Sequence, residues 1–289
     1  MIGYDPTNKY YKVKYLDGDT EEFTPAEMKL YHHPYQRYTQ TGEANAAGGT
    51  IWDPELNKMC HYRDLIKHYN PVTRLRWTRS GEKKFGRLCQ GFQEEQGMDV
   101  IEWIPRTDLP PDKTATYPRY TVAYRPEKED PYRTRITAGG DRLEYFGNVT
   151  THTAGMESFK ILLNSIISTP NAKCCTADIS NMYLCSLLDK PEYVKFKASL
   201  IPPAIIEHYN LQPLIHNGYV YAKIKKAWYG LKQAGKIAHD DIVDQLAAAG
   251  YIKLTLIEGY FSHKTRPIFF TLVVMTFLSN TIVTKILTI

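Results

Sequence analysis

The segment AKCCTADISNMYL, residues 172–184, contains a short run, Cys174 to Ile179, that is apolar on average and bounded by turn residues. A run of this length with turn residues at both ends favours a buried β-strand. Asp178 falls at the end of that strand. A carboxylate at a strand end is most often a cap or a solvated tip, and less often a ligand that binds a metal ion from a rigid sheet. The segment alone predicts the strand and leaves the role of Asp178 open.

The sequence on both sides of this segment predicts an α+β fold. Glu157 to Ser168 and Gln233 to Ala249 have helical periodicity, and the second helix ends at Gly250. Val220 to Ile224 and Ile268 to Val274 have strand patterns. Strands interleaved with helices and hairpins favour an antiparallel sheet with helices packed on one face. The residues that we expect to face inward are Phe159, Leu162, Leu163 and Ile166 on the first helix, and Ala238, Ile242, Leu246 and Ala249 on the second.

The first 32 residues have the pattern of a separate small β unit. Tyr11, Val13 and Tyr15 alternate along one strand, and Asp17-Gly18 is a favoured hairpin turn. Thr24 then begins a helical turn as its N-cap. The pattern resembles the small barrels of Tudor and chromo-like readers, which implies a chromatin or peptide ligand. A barrel fragment without a ligand is the alternative.

Residues 33–80 are predicted to be a linker and an upstream segment. The linker, rich in Tyr, Gln, Thr, Gly and Ala, shows no periodicity. The upstream segment ends in a basic run around Trp77, which fits either a solvated face or a nucleic-acid contact in which the ring stacks on a base.

Composition restricts the function classes only weakly. The chain has 289 residues, a formal charge of +5 and five cysteines without zinc-site spacing, so we expect reduced thiols and an intracellular protein. The charge permits a nucleic-acid partner without requiring one. Residues 267–289 approach the length of a membrane span, but Thr, Ser and Asn interrupt them, and we expect no membrane anchor.

Several separated motifs, taken in order, resemble the fingers and palm of copia-type retrotransposon reverse transcriptases. They cover most of residues 81–274, and agreement over so many segments is far more specific than one matching hexapeptide. The motifs are FGRLCQGF, YRTRITAGGDRLEY, NSIISTPNAKCCTADI, TADISNMYL, PEYVKF, HYNLQPLIHNGYVYAKI, AWYGLKQAGK and GYFSHKTRPIFFTLVV.

The resemblance implies an RNA-directed DNA polymerase that uses Mg²⁺, deoxynucleotides and an RNA or DNA template-primer. Asp178 matches the first metal-binding carboxylate, and the carbonyl of Ile179 would complete a magnesium shell. Tyr183 matches the aromatic residue that excludes a 2′-hydroxyl, with an ordinary core tyrosine as the alternative. Gln233 matches a residue that lines the nucleotide pocket, and Arg135 matches the fingers cation that meets the triphosphate.

Other cations of this region are weaker candidates. Arg133 is close enough to Arg135 to confuse that assignment. Further nucleic-acid contacts are expected at Arg133, Lys225, Lys226 and Lys232.

The resemblance breaks after the strand FTLVV. The family has two adjacent aspartates and a phenylalanine there, and this chain has Met275-Thr276-Phe277. Without that second carboxylate motif, Asp178 alone cannot balance two divalent ions beside a triphosphate. We therefore expect no polymerase activity.

A one-base frame slip accounts for the break. The family-like peptide Asp-Asp-Phe-Leu-Val-Lys-Tyr can be written GAT GAC TTT CTT GTC AAA TAC, and loss of the first base gives Met-Thr-Phe-Leu-Ser-Asn-Thr. That heptapeptide is residues 275–281 of this chain. The interpretation is that 81–274 is polymerase and 275–289 is an out-of-frame tail.

Two other function classes remain open. The first is a non-catalytic nucleic-acid or chromatin-binding protein, and the second is a tail-anchored membrane protein.

Overall fold

The computed structural model describes residues 2–5, 10–14, 20–23, 49–273 and 276–281. The strands are β1 Ile2–Asp5, β2 Tyr10–Lys14, β3 Thr20–Phe23, β4 Ile51–Asp53, β5 Lys58–Cys60, β6 Gly91–Phe92, β7 Glu95–Gln96, β8 Ile101–Ile104, β9 Pro118–Tyr124, β10 Tyr132–Ala138, β11 Lys173–Asp178, β12 Leu187–Lys197, β13 Tyr219–Lys226, β14 Tyr251–Lys253, β15 Tyr260–His263, β16 Ile268–Val273 and β17 Thr276–Thr281. The α-helices are α1 Tyr62–Leu65, α2 Pro71–Leu88, α3 Met156–Ser168, α4 Met182–Cys185, α5 Pro203–His208 and α6 Ala234–Ala248. The fold is therefore mixed α+β with small antiparallel sheets, as predicted.

The chain divides into two compact units. The first consists of residues 1–81 and 120–135, and the second of residues 82–119 and 136–289. In the first unit, β1, β2 and β3 form an antiparallel sheet in that order, with Tyr11 opposite Phe23. β2 and β3 agree with the two predicted strands, and the Asp17-Gly18 turn predicted between them lies outside the described residues. The helical turn expected after Thr24 and the part of the predicted linker that precedes residue 49 lie outside the described residues.

The core of the first unit forms around aromatic residues. Tyr62 stacks on Tyr120 with ring centroids 5.0 Å apart, and Trp77 meets the edge of Tyr132 at 5.2 Å. Trp77 is only 1% exposed, so it packs in the core and has no free ring face on which a base could stack. Of the two alternatives for this basic run, the one in which Trp77 stacks on a base is therefore excluded, because helix α2 turns its indole inward.

The second unit contains two larger sheets. One has the strand order β12-β13-β8, and the other has the order β11-β17-β16-β15-β14. Behind the first sheet, Phe85, Trp103, Phe196 and Trp228 form a chain of ring contacts 5.2–6.4 Å apart. The alternating strand predicted at Val220 to Ile224 is confirmed within β13, since residues 220, 222 and 224 are buried.

The helices of the five-stranded sheet lie on opposite faces of β15. Leu162 of α3 packs on Tyr260, whereas Ile242 and Leu246 of α6 pack on the cluster of Phe261 and its neighbours. Successive residues of a strand point to opposite faces. The expectation that the helices share one face was therefore wrong, because both faces of β15 carry aromatic side chains that must be covered.

Two details of the predicted elements differ from the structure. The helical faces agree with the packing at Phe159, Leu162, Leu163 and Ile166, but Ala249 is exposed because α6 ends at Ala248, with Gly250 at φ +90° just beyond. The strand predicted at Cys174 to Ile179 is present as β11, but all six of its residues are exposed. Among the described strands, β11 lies at the edge of its sheet with β17 as its one partner, so it is not a buried strand.

The loop after β10 lies directly against the loop after β13. Trp228 donates its indole N–H to the carbonyl of Ile136 at 2.9 Å, and the amide of Ala138 donates to the carbonyl of Tyr229 at 2.7 Å. A Cβ on Gly140 would lie 2.1 Å from the Gly230 carbonyl oxygen, and one on Gly230 would lie 2.1 Å from the Ala138 carbonyl oxygen. The fold requires glycine at both positions, because backbone meets backbone.

Gly230→Ala should be strongly destabilising. Gly230 also has φ +99°, so alanine adds left-handed strain to the clash, and we expect a loss of about 3 kcal/mol or more in the free energy of unfolding. Urea denaturation measures this loss. Gly218→Ala is the matched control, because Gly218 has φ +77° with open space around it, and it should lose only about 1 kcal/mol. Equal losses in the two variants would contradict the close approach.

Candidate functional site

The end of β11 pairs with the start of β17. β11 pairs with β17 so that Asp178 is opposite Thr276, and β16 pairs with β17 so that Val273 is opposite Thr276. Two residues separate β16 from β17 in the sequence. The exposed Asp178 thus lies at the same end of the sheet as the position where the resemblance implies the second carboxylate motif.

The donor set at this end does not fit a pair of divalent ions. Two-metal sites hold their ions about 3.5–4 Å apart with several anionic oxygens. Asp178 supplies one carboxylate and Ile179 a carbonyl, while position 276 is threonine. Among the described residues, no group of three or more His, Cys, Asp or Glu side chains is arranged to hold a metal ion.

A tight turn carries the chain from Asp178 to Tyr183. Asn181 has φ 56° and ψ 25° at the start of α4, and asparagine tolerates this left-handed conformation better than most residues. The ring of Tyr183 then stacks on Tyr229 with centroids 4.8 Å apart and an interplanar angle of 19°. A Cβ on Gly235 would lie 3.2 Å from the Tyr183 hydroxyl. The fold therefore brings Tyr183 against the AWYGLKQAGK segment.

Gln233 is in a buried polar contact. It immediately precedes α6, is 4% exposed, and its amide donates to Glu192 Oε1 at 3.5 Å. Glu192 is 8% exposed and lies on the core side of β12, opposite Ile224. Burial raises the pKa of the Glu192 carboxyl, while Lys113 and the hydrogen bond from Gln233 act in the opposite direction.

Glu192 was missed as a candidate because sequence alone does not show on which face of β12 it lies. The motif PEYVKF contained it. The only available signal was its position, at period two with the apolar Val194 and Phe196.

The predicted cationic contacts occupy different environments. Lys225 pairs with Asp99 at 2.7 Å, and Lys226 donates to the carbonyl of Met98 at 2.7 Å. Both lysines therefore contact the segment that precedes β8. Lys232, in contrast, is exposed. Arg133 and Arg135 lie on the part of β10 that belongs to the first unit, half-buried and exposed, respectively.

Membrane insertion has no support from a described helix. None of the helices in the described ranges is both long and apolar enough to cross a bilayer.

Glu192→Gln should stabilise the protein at neutral pH. A raised pKa means that the folded state holds the proton more tightly than the unfolded state, so ionisation of Glu192 opposes folding at pH 7. This destabilisation disappears as the pH falls below 4.5, the ordinary pKa of a glutamate side chain. We expect the variant to exceed the parent in free energy of unfolding at about pH 7 and to equal it at about pH 4.

Urea denaturation at the two pH values measures this difference. Glu207→Gln, at an exposed position on α5, is the control and should change neither value. A Glu192→Gln variant that is less stable than the parent at neutral pH would show that the buried carboxylate is a net stabilising partner.

Comparison with protein-family profiles and with curated proteins finds no match for this chain.

Proposed function

We propose that residues 81–274 are the fingers and palm of a copia-type reverse transcriptase and that this chain does not catalyse polymerisation. The observation that carries the proposal is the register of β11, β17 and β16, in which Asp178 and Val273 are both opposite Thr276. A strand-end carboxylate next to a hairpin that would bear two more is an arrangement suited to phosphoryl transfer with two metal ions.

The position of Tyr183 also supports the proposal. A residue that excludes a 2′-hydroxyl must be held rigidly, since small displacements would admit the larger sugar. The stack on Tyr229 and the contact with Gly235 limit the movement of the Tyr183 ring. Its placement five residues after Asp178 keeps it near the same sheet end.

The lack of catalysis follows from charge. In such a site, carboxylates offset the charge of the ions and hold them where negative charge develops in the transition state. Methionine and threonine at positions 275 and 276 carry no charge at neutral pH. Asp178 would then be the single anion available to both ions.

Within the same proposal, β1 to β3 are a partial Tudor or chromo-like unit. Its support is limited to the antiparallel order β1-β2-β3 and the register of those strands. A chromatin or peptide ligand for this unit is the finer part of the proposal.

Restoring the carboxylates tests the proposal directly. The double variant Met275→Asp/Thr276→Asp should bind Mn²⁺, measured by electron paramagnetic resonance, and should add a single deoxynucleotide to an annealed template-primer with Mg²⁺. The parent chain should do neither. Adding Asp178→Asn to the double variant should abolish both gains, because the ions then lose the facing carboxylate.

A matched control makes this result interpretable. Asp244→Asn in the double variant changes the same charge on the exposed side of α6 and should leave Mn²⁺ binding intact. If the double variant folds but binds no Mn²⁺, or if Asp178→Asn has no effect on that binding, the assignment of this sheet end is wrong.

A further inference from the structure

The turn that leads into β13 contains the dipeptide Asn217-Gly218. No other asparagine of the chain precedes a glycine. The backbones of His216 and Tyr219 close this turn, since the amide of each donates to the carbonyl of the other, at 2.8 Å and 3.0 Å, respectively. Both central residues have positive φ, 48° at Asn217 and 77° at Gly218, as a type I′ turn requires. The turn therefore consists of two residues held by two cross-turn hydrogen bonds.

The tip of this turn is open to water. Asn217 and Gly218 are both exposed, and a Cβ on Gly218 would have no atom within 4 Å apart from those of its chain neighbours. Because glycine has no Cβ, its backbone turns freely and its amide nitrogen is poorly shielded. The side-chain amide carbon of Asn217 can therefore meet the Gly218 nitrogen after a rotation of the main chain, for which the open tip leaves space.

A histidine contacts the nitrogen that would leave in such a reaction. Nε2 of His216 lies 3.3 Å from Nδ2 of Asn217. His216 is exposed, so its ring exchanges protons with solvent. An imidazole in this position can pass a proton to a departing nitrogen as a general acid. The turn therefore holds an electrophile, a nucleophile and a proton donor within three consecutive residues.

We propose that Asn217 is a site of spontaneous deamidation, in which the Gly218 nitrogen attacks Cγ of Asn217 and His216 protonates the leaving nitrogen. The bond between Cγ and the Gly218 nitrogen forms, and the bond between Cγ and Nδ2 breaks. Gly218 loses its N–H proton to solvent, while His216 gives one proton to Nδ2 and recovers it from solvent. Ammonia leaves, a cyclic succinimide remains, and nothing is oxidised or reduced.

Water then opens the succinimide at either of its two carbonyl carbons. Opening at Cγ gives aspartate, whereas opening at the main-chain carbonyl gives isoaspartate, whose main chain runs through the side-chain methylene. Isoaspartate lengthens the connection between His216 and Tyr219 by one atom. The longer connection no longer fits the two cross-turn hydrogen bonds, or the bond from the Ala198 amide to the Gly218 carbonyl at 2.9 Å. Formation of isoaspartate therefore loosens this end of the β12–β13 pair.

Peptide mapping by mass spectrometry, on the full chain held in neutral buffer over several weeks, tests the proposal. The conversion of each asparagine is followed with time. Asn217 should deamidate several-fold faster than any other asparagine and should yield both aspartate and isoaspartate. The inference goes beyond the proposed function, and it is independent of that function because the reaction needs only the turn and water.

The chain contains its own matched controls. Asn57, Asn171 and Asn210 are also exposed and also have positive φ, between 50° and 60°. Lysine, alanine and leucine follow them, respectively, and each of these residues has a Cβ that shields its amide nitrogen. These three asparagines should remain largely intact in the sample in which Asn217 has reacted.

Two variants test the roles of the neighbouring residues. Gly218→Ala should slow deamidation of Asn217 several-fold, because the added Cβ shields the attacking nitrogen. His216→Phe keeps an aromatic ring but removes the proton donor, and it should also slow the reaction. Circular dichroism and thermal melts check that both variants are folded.

Asn217→Asp separates the effect of charge from that of chain length. Asp-Gly is a favoured dipeptide in this type of turn, so the fresh variant should melt like the fresh parent. The aged parent should melt at a lower temperature, and the loss should grow with the isoaspartate content of the peptide that contains residue 217.

Four results would count against the proposal. Asn217 that stays intact, or that reacts no faster than Asn57, Asn171 and Asn210, would overturn the site. Equal rates in the parent and Gly218→Ala would overturn attack by the Gly218 nitrogen. An unchanged rate in His216→Phe would overturn the role of the imidazole. An unchanged melting temperature in a sample rich in isoaspartate would overturn the loosening of the strand pair.

Discussion

The contact between the backbone of residues 138–140 and that of residues 229–230 determines the geometry of the candidate site. It requires two glycines, because carbonyl oxygens occupy the space where side chains would begin. The Trp228 indole and the amide of Ala138 fix the two loops in register. Tyr229, held in this contact, presents its ring to Tyr183. The segment then leads directly through Gln233 into α6, so that this close approach is next to Tyr183 and Gln233, two of the three predicted nucleotide-binding residues.

Local pattern was enough to predict several elements, although not helix α2, and it did not predict their surroundings. The 3.6-residue period of residues 157–168 and the alternation of residues 220–224 are properties of the elements themselves, and both predictions hold. Whether β11 is buried depends on what covers it, and an apolar run of six residues does not contain that information. The same holds for α3 and α6, whose placement on opposite faces of β15 depends on Tyr260 and Phe261 both needing cover.

In the candidate site, too, local sequence predicts the position of a residue along an element but not what packs against it. Asp178 could be placed at a strand end from sequence, because turn residues follow it directly. The burial of Glu192 against Gln233 could not, because it depends on which face of β12 meets the core. Lys225 and Lys226 were reasonable nucleic-acid contacts by charge, but their partners Asp99 and the Met98 carbonyl are more than 120 residues away along the chain. Lysines with free ammonium groups and lysines that hold a loop look alike in a sequence.

The strand β17 is compatible with the proposed loss of the carboxylates. Backbone pairing with β16 and β11 requires extended residues with adequate strand propensity, and it makes no demand for charge. The proposed frame slip replaces Asp-Asp-Phe-Leu by Met-Thr-Phe-Leu, which retains the two apolar residues and removes both carboxylates. Residues 276–281 pair with both neighbouring strands in unbroken register. Under the proposed function, the five-stranded sheet forms around a sheet end that lacks the anions needed for two-metal chemistry.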